Sequence, residues 1–245
     1  MLNSPQTILI TGGTSGVGLS LVKQLHQDGH NVITVARDSA KLKRLADQHP
    51  RLLCYPCDLA SRQQVEELCS NILEKHSDIS VVINNAGVQY TPTFVDADFH
   101  FDSIEHETRI NFLAPTWLSY LLLPALVNQD QPRAIVNISS GLALAPKTRS
   151  AVYCASKAAL HSLSQSLRYQ LKESNVRVME VLLPLVDTPM TAGRGQHKLS
   201  PEKAASQIIQ GIKSGKDEIY VGIARLLPLL MRLSPSIAKA LLRKH

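Results

Sequence analysis

Aromatic side chains are scarce, at 4% of 245 residues. Binding of single-stranded nucleic acid leans on stacking against such rings, so no nucleic-acid partner is expected. Cysteine is sparse too: Cys54, Cys57, Cys69 and Cys154 are the full set. A chain of this size can build its core without disulfides. Acid is missing from one end, where Gly222 to His245 holds Arg225, Arg232, Lys239, Arg243 and Lys244 and no carboxylate. That tail carries most of the formal net charge of +6. The remainder is nearly neutral, unlike a protein with basic residues spread along a nucleic-acid groove. No secretory pattern opens the sequence, since Met1 to Gln6 is polar and the apolar run after it is short. No uninterrupted apolar stretch reads as long enough to span a bilayer. The expectation is a reduced, cytoplasmic protein. Cys54 and Cys57 form a C-x-x-C, but a redox or metal role needs a helix N-terminus or a second ligand pair. The pair sits in "LLCYPCDL", which reads as a strand end, so a structural role is preferred.

Short apolar runs alternate with longer amphipathic ones. The strands predicted are Ile8–Thr11, Val32–Ala36, Leu52–Pro56, Val81–Asn84, Ala134–Ser139, Arg177–Leu182 and Glu218–Val221. Helices are predicted at Val17–Asp28, Ser39–Gln48, Ser61–Lys75, Phe101–Val127, Ser150–Glu173 and Pro201–Lys213. The first six strands are rich in Val, Ile and Leu, as strands buried on both faces should be. Strand and helix in alternation imply an α/β fold: one doubly wound, Rossmann-like domain over residues 1–245, with a mostly parallel sheet of about seven strands and helices on both faces. Ligands of such sheets bind beyond the carboxyl ends of the strands.

At that end of the first strand stands "TGGTSGVG". Gly12, Gly16 and Gly18 depart from the G-x-G-x-x-G spacing. The physical need is met all the same: glycines allow close backbone approach, and the helix that follows offers unpaired N–H groups to a phosphate. "CDL" follows the third strand and "NNAG" the fourth. Tyr153 and Lys157 in "YCASK" are four apart on a helix and share one face. Ser140 precedes Tyr153 by thirteen residues, and Ser139 should point to the opposite face of its strand. An ammonium near a phenol favours phenolate, so the Tyr153 pKa is expected below its ordinary value of about 10.

Together "TGGTSGVG", "CDL", "NNAG", "RINFLAP", "NISS", "YCASK" and "VDTPM" resemble a short-chain dehydrogenase/reductase of the roughly 250-residue type, over nearly the whole chain. The resemblance implies a nicotinamide cofactor bound by Gly12, Thr14, Ser15, Gly16, Val17, Gly18, Arg37, Asp58, Leu59, Asn85, Ala86, Gly87, Tyr153, Lys157, Val186 and Thr188. It implies a small-molecule carbonyl or alcohol substrate. Tyr153 is then the general acid and base, Ser140 orients the substrate oxygen, Lys157 lowers the phenol pKa and holds the ribose, and Asn111 binds a water leading to Lys157. Pro115, four residues on, suggests a local break in that helix. No metal is implied. The resembling enzymes commonly form homodimers or homotetramers through the helices here at Phe101–Val127 and Ser150–Glu173.

Ala36 and Arg37 end the second strand where NAD enzymes often carry an acid. A guanidinium there can pair with a 2′-phosphate, so NADP(H) is favoured. A register one residue longer would bring Asp38 to the ribose and admit NAD(H). Two departures stand out: Pro184 replaces a glycine of the family pattern, and the tail is basic and apolar. With "GLALAP", they resemble more loosely a bacterial subgroup associated with D-alanylation of teichoic acids. Residues 188–200, with Gly193 and Gly195, read as a flap over the substrate or as a plain surface loop. Residues 223–245 read as a helix closing the pocket or packing on a neighbouring subunit, or as a basic amphipathic helix on anionic lipid. The rival functional reading is a regulator that holds NADP(H) without catalysis.

Overall fold

The computed structural model describes residues 1–127 and 131–243. Lys244 and His245, the end of the basic tail, lie outside the described residues. Seven strands form one sheet: β1 (Thr7–Thr11), β2 (Asn31–Ala36), β3 (Leu53–Pro56), β4 (Ile79–Asn84), β5 (Arg133–Ser140), β6 (Val176–Leu183) and β7 (Glu218–Tyr220). Their order is β3-β2-β1-β4-β5-β6-β7, and every pairing is parallel. The chain winds outward from β1 in one direction and from β4 in the other. A crevice therefore opens beyond their carboxyl ends, between the first and fourth strands.

All five residues of β1 and all six of β4 are buried, because helices cover both faces. Successive strand residues face opposite ways. Ile8 and Ile10 join a core with Leu21 and Val22 of α1 (Gly16–Gln27) and Ile208 of α7 (Pro201–Lys213). Leu9 joins the opposite core with Val65 and Leu68 of α3 (Arg62–Lys75) and Leu118 and Leu122 of α5 (Ala114–Val127). The second strand is followed by α2 (Ser39–Gln48), and α6 (Ala151–Gln170) runs between β5 and β6.

The helix expected over Phe101–Val127 is present in three parts: α4 (Asp102–Thr108), a π-helical turn (Arg109–Leu113) and α5. Pro115 has no N–H to give the carbonyl of Asn111 four residues earlier, so an α-helical bond cannot form there and the turn widens. One expectation needs correcting. Asp102–Val127 is long and apolar enough to cross a membrane by length and composition, and Ile110 to Val127 contains no charge. Here one face of it packs into the core, where Leu118, Leu122 and Leu126 are at most 1% exposed. The tail also differs from a single amphipathic helix. Pro235 breaks it into α8 (Leu227–Leu233) and α9 (Pro235–Arg243), after a 3-10 turn at Gly222–Leu226. The four thiols are free. Burial pushes Cys57 up to about 11 and Cys69 up to about 12, so neither is an activated nucleophile.

Candidate active site

The glycine turn joins β1 to α1 at the mouth of the crevice. Gly12 N–H donates to Val35 O at 2.7 Å, tying the turn to β2. A Cβ at Gly18 would stand 2.2 Å from Gly12 O, so only glycine lets α1 pass this close. Gly16 has φ +53°, and a Cβ there would meet Thr188 Cγ2 at 2.9 Å. That contact brings the segment after β6 against the start of α1. Ser15, the residue before α1, makes no side-chain cap, and the first turn carries no acid. The opening N–H groups are thus left for an outside acceptor, and the dipole favours an anion there. These features fit the pyrophosphate of a dinucleotide.

Asn85 holds the turn in place. Its Nδ2 donates to Thr11 O at 2.9 Å, while the N–H groups of Asn85 and Ala86 both donate to Thr11 Oγ1 at 3.0 Å. Asn84 Nδ2 donates to Asn137 Oδ1 at 2.8 Å, knitting β4 to β5. Thr14 is half-buried and Ser15 exposed in the turn. Val17 and Leu59 belong to the two cores, which leaves their backbone as what they can offer a ligand. Asp58 lies just beyond β3, its Oδ1 accepting from Ala60 N at 3.0 Å. At the end of β2, Arg37 is exposed. Asp38 caps α2 instead of reaching outward: Oδ1 accepts from Lys41 N at 2.9 Å, and this bond holds its pKa below the usual carboxylate value.

The reactive groups gather at the ends of β4 and β5. Ser140, the last residue of β5, stands close enough to the Tyr153 phenol to lower its pKa, and its Oγ accepts from Leu142 N at 3.2 Å. Ser139 is 2% exposed and faces away, as alternation requires. Lys157 lies one turn along α6 from Tyr153, its ammonium 5.7 Å from the ring centre. Nζ donates to Ile138 O at 2.8 Å. Asn111 is fully buried in the π turn. Its Oδ1 accepts from Val88 N at 2.9 Å, and its Nδ2 donates to Val88 O at 2.8 Å and Ser156 Oγ at 3.3 Å. Gly87 lies against both groups: a Cβ there would be 3.2 Å from Asn111 Oδ1 and 3.9 Å from Lys157 Nζ. "NNAG", "RINFLAP" and "YCASK" thus meet at one point.

The electrostatics correct one expectation. Burial, foremost, pushes the Tyr153 phenol up to about 12, while Ser140 beside it works the other way. Burial also drives Lys157 down to about 8, opposed by Glu180. These surroundings hold the Tyr153 proton and do not loosen it. Lys157 spends its ammonium on a backbone carbonyl, and desolvation dominates at the phenol.

Comparison with known proteins agrees with this geometry. The family model for short chain dehydrogenase matches residues 6–199. This chain belongs to the short-chain dehydrogenase/reductase family. It is 39% identical over 219 residues to the uncharacterized oxidoreductase DltE of Bacillus subtilis, covering 87% of this chain and 86% of that one. It is 31% identical over 242 residues to a fatty acyl-CoA reductase of Acinetobacter baylyi, covering 96% and 82%. A short-chain dehydrogenase of Burkholderia cenocepacia, solved in complex with NADP, superposes with a TM-score of 0.87 at 26% identity, covering 98% of both chains. The DltE match accords with the looser subgroup resemblance.

Around Tyr153 stand charged groups that carry no motif in the sequence. Glu107, one turn before Asn111, is 2% exposed and accepts from Tyr90 N at 2.9 Å; burial raises its pKa to about 7. Arg194 acts electrostatically on Tyr153 and donates to Gln89 Oε1 at 2.7 Å. It comes from the expected flap, which is closed at its neck. Val186 forms a parallel bridge with Leu199, and Asp187 N donates to Leu199 O at 2.8 Å. Lys198 Nζ adds bonds to Asp187 Oδ1 and Thr191 O. Pro184 packs near Gly222, whose Cβ would lie 3.4 Å from its ring. The altered dipeptide therefore has a place beside the start of the tail.

Proposed function

We propose that the protein is an NADP(H)-dependent oxidoreductase that reduces a carbonyl to an alcohol, or runs the reverse, with Tyr153 as general acid and base. The observation that carries this reading is the meeting of Tyr153 and Lys157, the ammonium 5.7 Å from the ring centre, beside Ser140 at the end of β5 and Gly87 at the end of β4. When bound, the nicotinamide supplies or takes up the hydride. The chain's own task is the proton. A phenol held protonated well above neutral pH stands ready to deliver its hydrogen to a carbonyl oxygen as charge develops there. The Ser140 hydroxyl bonds the same oxygen and fixes its direction. In this reading Lys157 would hold the ribose and return a proton to Tyr153, and Asn111, bonded to Val88, fixes the loop beside it.

Arg37 free at the end of β2, with Asp38 committed to capping α2, supports NADP(H) over NAD(H). The wild-type protein should oxidise NADPH in the presence of some member of a panel of aldehydes, ketones and acyl thioesters, read by nicotinamide absorbance. The relative named for acyl-CoA reduction recommends including the last class. We expect kcat/KM to favour NADPH over NADH by about tenfold or more, and Arg37→Ala to remove most of that preference, since one charge-assisted contact is worth about 1.5–3 kcal/mol. Inertness towards every carbonyl, or an unchanged preference in Arg37→Ala, would contradict the respective part.

A homo-oligomer is proposed through α5 and α6, whose outer faces leave Tyr120 and Tyr169 77% exposed. A cytoplasmic setting suits the four free thiols. The tail leaves Ile223, Leu226, Leu229, Leu233 and Ile237 more than half exposed among Arg225, Arg232, Lys239 and Arg243, a pattern suited to peripheral contact with anionic lipid. Sedimentation with and without anionic vesicles checks both. The protein alone should run as a dimer or larger, and at low salt it should pellet with vesicles unless residues 223–245 are removed. A monomer argues against the first proposal, and full-length protein that stays in the supernatant argues against the second.

A further inference from the structure

Glu180 sits mid-strand in β6, fully buried in an otherwise apolar run apart from Arg177. A carboxylate in such a place has to be matched by charge and hydrogen bonds. The match comes from α6. Lys157, His161, Ser164 and Arg168 recur at helical spacing and face β5 and β6 as one polar stripe. Lys157 Nζ reaches Ile138 O at 2.8 Å, and His161 Nδ1 lies 2.6 Å from Glu180 Oε2. Ser164 Oγ accepts from Asn137 Nδ2 at 2.9 Å, and Arg168 Nη2 stands 4.0 Å from Glu180 Oε2. In register, Glu180 pairs with Asn137, next to the residue whose carbonyl receives the Lys157 ammonium. The other oxygen, Oε1, is buried without a hydrogen-bond partner.

His161, Glu180 and Glu218 present ligand atoms within 4.8 Å of one another, yet a metal ion is not what they call for. Arg168 already approaches both carboxylates, at 4.0 Å and 3.7 Å. Its charge is shared between them, so Glu180 keeps a surplus of negative charge to direct elsewhere.

We propose that Glu180 is a positioning residue for the Tyr153–Lys157 couple: its buried carboxylate is the countercharge that keeps the Lys157 side chain an ammonium, and His161 sets how much of that charge Lys157 feels. The proposal rests on the reading of Lys157 given above. Among the described residues, His161 and Arg168 from α6 contact Glu180 and Glu218 of β7 lies beside it, while Lys157 and Tyr220 act on it electrostatically; its partner on β5 is the uncharged Asn137. Burial pulls Lys157 towards its neutral form, and Glu180 is the group opposing it. His161 is raised, foremost by its bond to Glu180. While His161 carries a proton it cancels part of the carboxylate. As pH rises and that proton leaves, the carboxylate is unmasked, and Lys157 holds its own proton more firmly as its own titration begins.

The test is an NMR titration of the Lys157 ε-position in the full-length, lysine-labelled protein, the signal being assigned by its loss in Lys157→Met. Wild type should titrate near 8. Glu180→Gln keeps shape and loses charge, so the midpoint should fall by on the order of one pH unit. Glu180→Asp keeps charge and loses shape, and should stay within a few tenths of wild type. An unchanged midpoint in Glu180→Gln, or an equal fall in both variants, overturns the proposal. If Glu180→Gln does not fold, His161→Gln decides: the midpoint must hold or rise, and a fall overturns the proposal. The titration needs no turnover. Failure of the shift in an active enzyme therefore counts against this proposal alone, and the shift in an inactive protein counts against the catalytic reading alone.

Discussion

Tyr153→Phe should lower turnover by about a thousandfold while leaving NADPH affinity within about twofold. The substitution keeps the ring and its packing and removes only the O–H. A positioned proton donor contributes about 10²–10⁴ in rate, so a loss of a thousandfold corresponds to about 4 kcal/mol of transition-state stabilisation. The surroundings should tolerate the change, because Ser140 Oγ retains its bond from Leu142 N. Stopped-flow or steady-state NADPH oxidation gives the rate, and fluorescence titration of NADPH gives the affinity. Turnover above a tenth of wild type would remove Tyr153 from its role. Equal loss of rate and binding would mean the hydroxyl had been shaping the cofactor site instead.

Gly18→Ala should cost both stability and cofactor binding. Alanine is the better helix former by about 1 kcal/mol, so propensity alone predicts a gain. Sterics oppose it: the new methyl would lie 2.2 Å from Gly12 O and 2.5 Å from Asn85 Nδ2. Backbone must move, which costs about 1–3 kcal/mol or more, and the part that moves is the phosphate turn itself. The expected result is a Tm lower by several degrees, at about 2–4 °C per kcal/mol for a chain of this size. NADPH should bind at least tenfold more weakly. Calorimetric unfolding and a binding titration check the two effects. Undiminished NADPH binding would show that the cofactor does not rely on the close passage of α1.

The sheet was legible because parallel strands buried on both faces must be short and branched-aliphatic, and the boundaries read from "TILIT" or "NVITVA" lie within a residue or two of those observed. Pro115 foreshadowed the irregular turn at Asn111 for a local reason, the missing N–H. Ser140 could be told from Ser139 by its spacing of thirteen residues to Tyr153 together with strand alternation. What escaped depends on tertiary surroundings. Ile110 to Val127 carries no mark in its composition to separate a core helix from a membrane span; packing against α3 and the sheet decides. The Tyr153 shift has the opposite sign to that expected, because burial of a phenol cannot be judged from its spacing to a lysine. Glu180 did leave a signal, a lone acid within an apolar strand, but its partner His161 is nineteen residues away in sequence and only the fold joins them.

Proton transfer by Tyr153 requires a bound nicotinamide to lie against the Tyr153 and Ser140 hydroxyls. A crystal structure of the full-length protein grown with NADP tests this directly. The pyrophosphate should lie at the N-terminus of α1, with the reactive nicotinamide carbon within reach of a substrate atom touching both hydroxyls. A dinucleotide bound elsewhere, or a nicotinamide ring turned away from Tyr153, would contradict it.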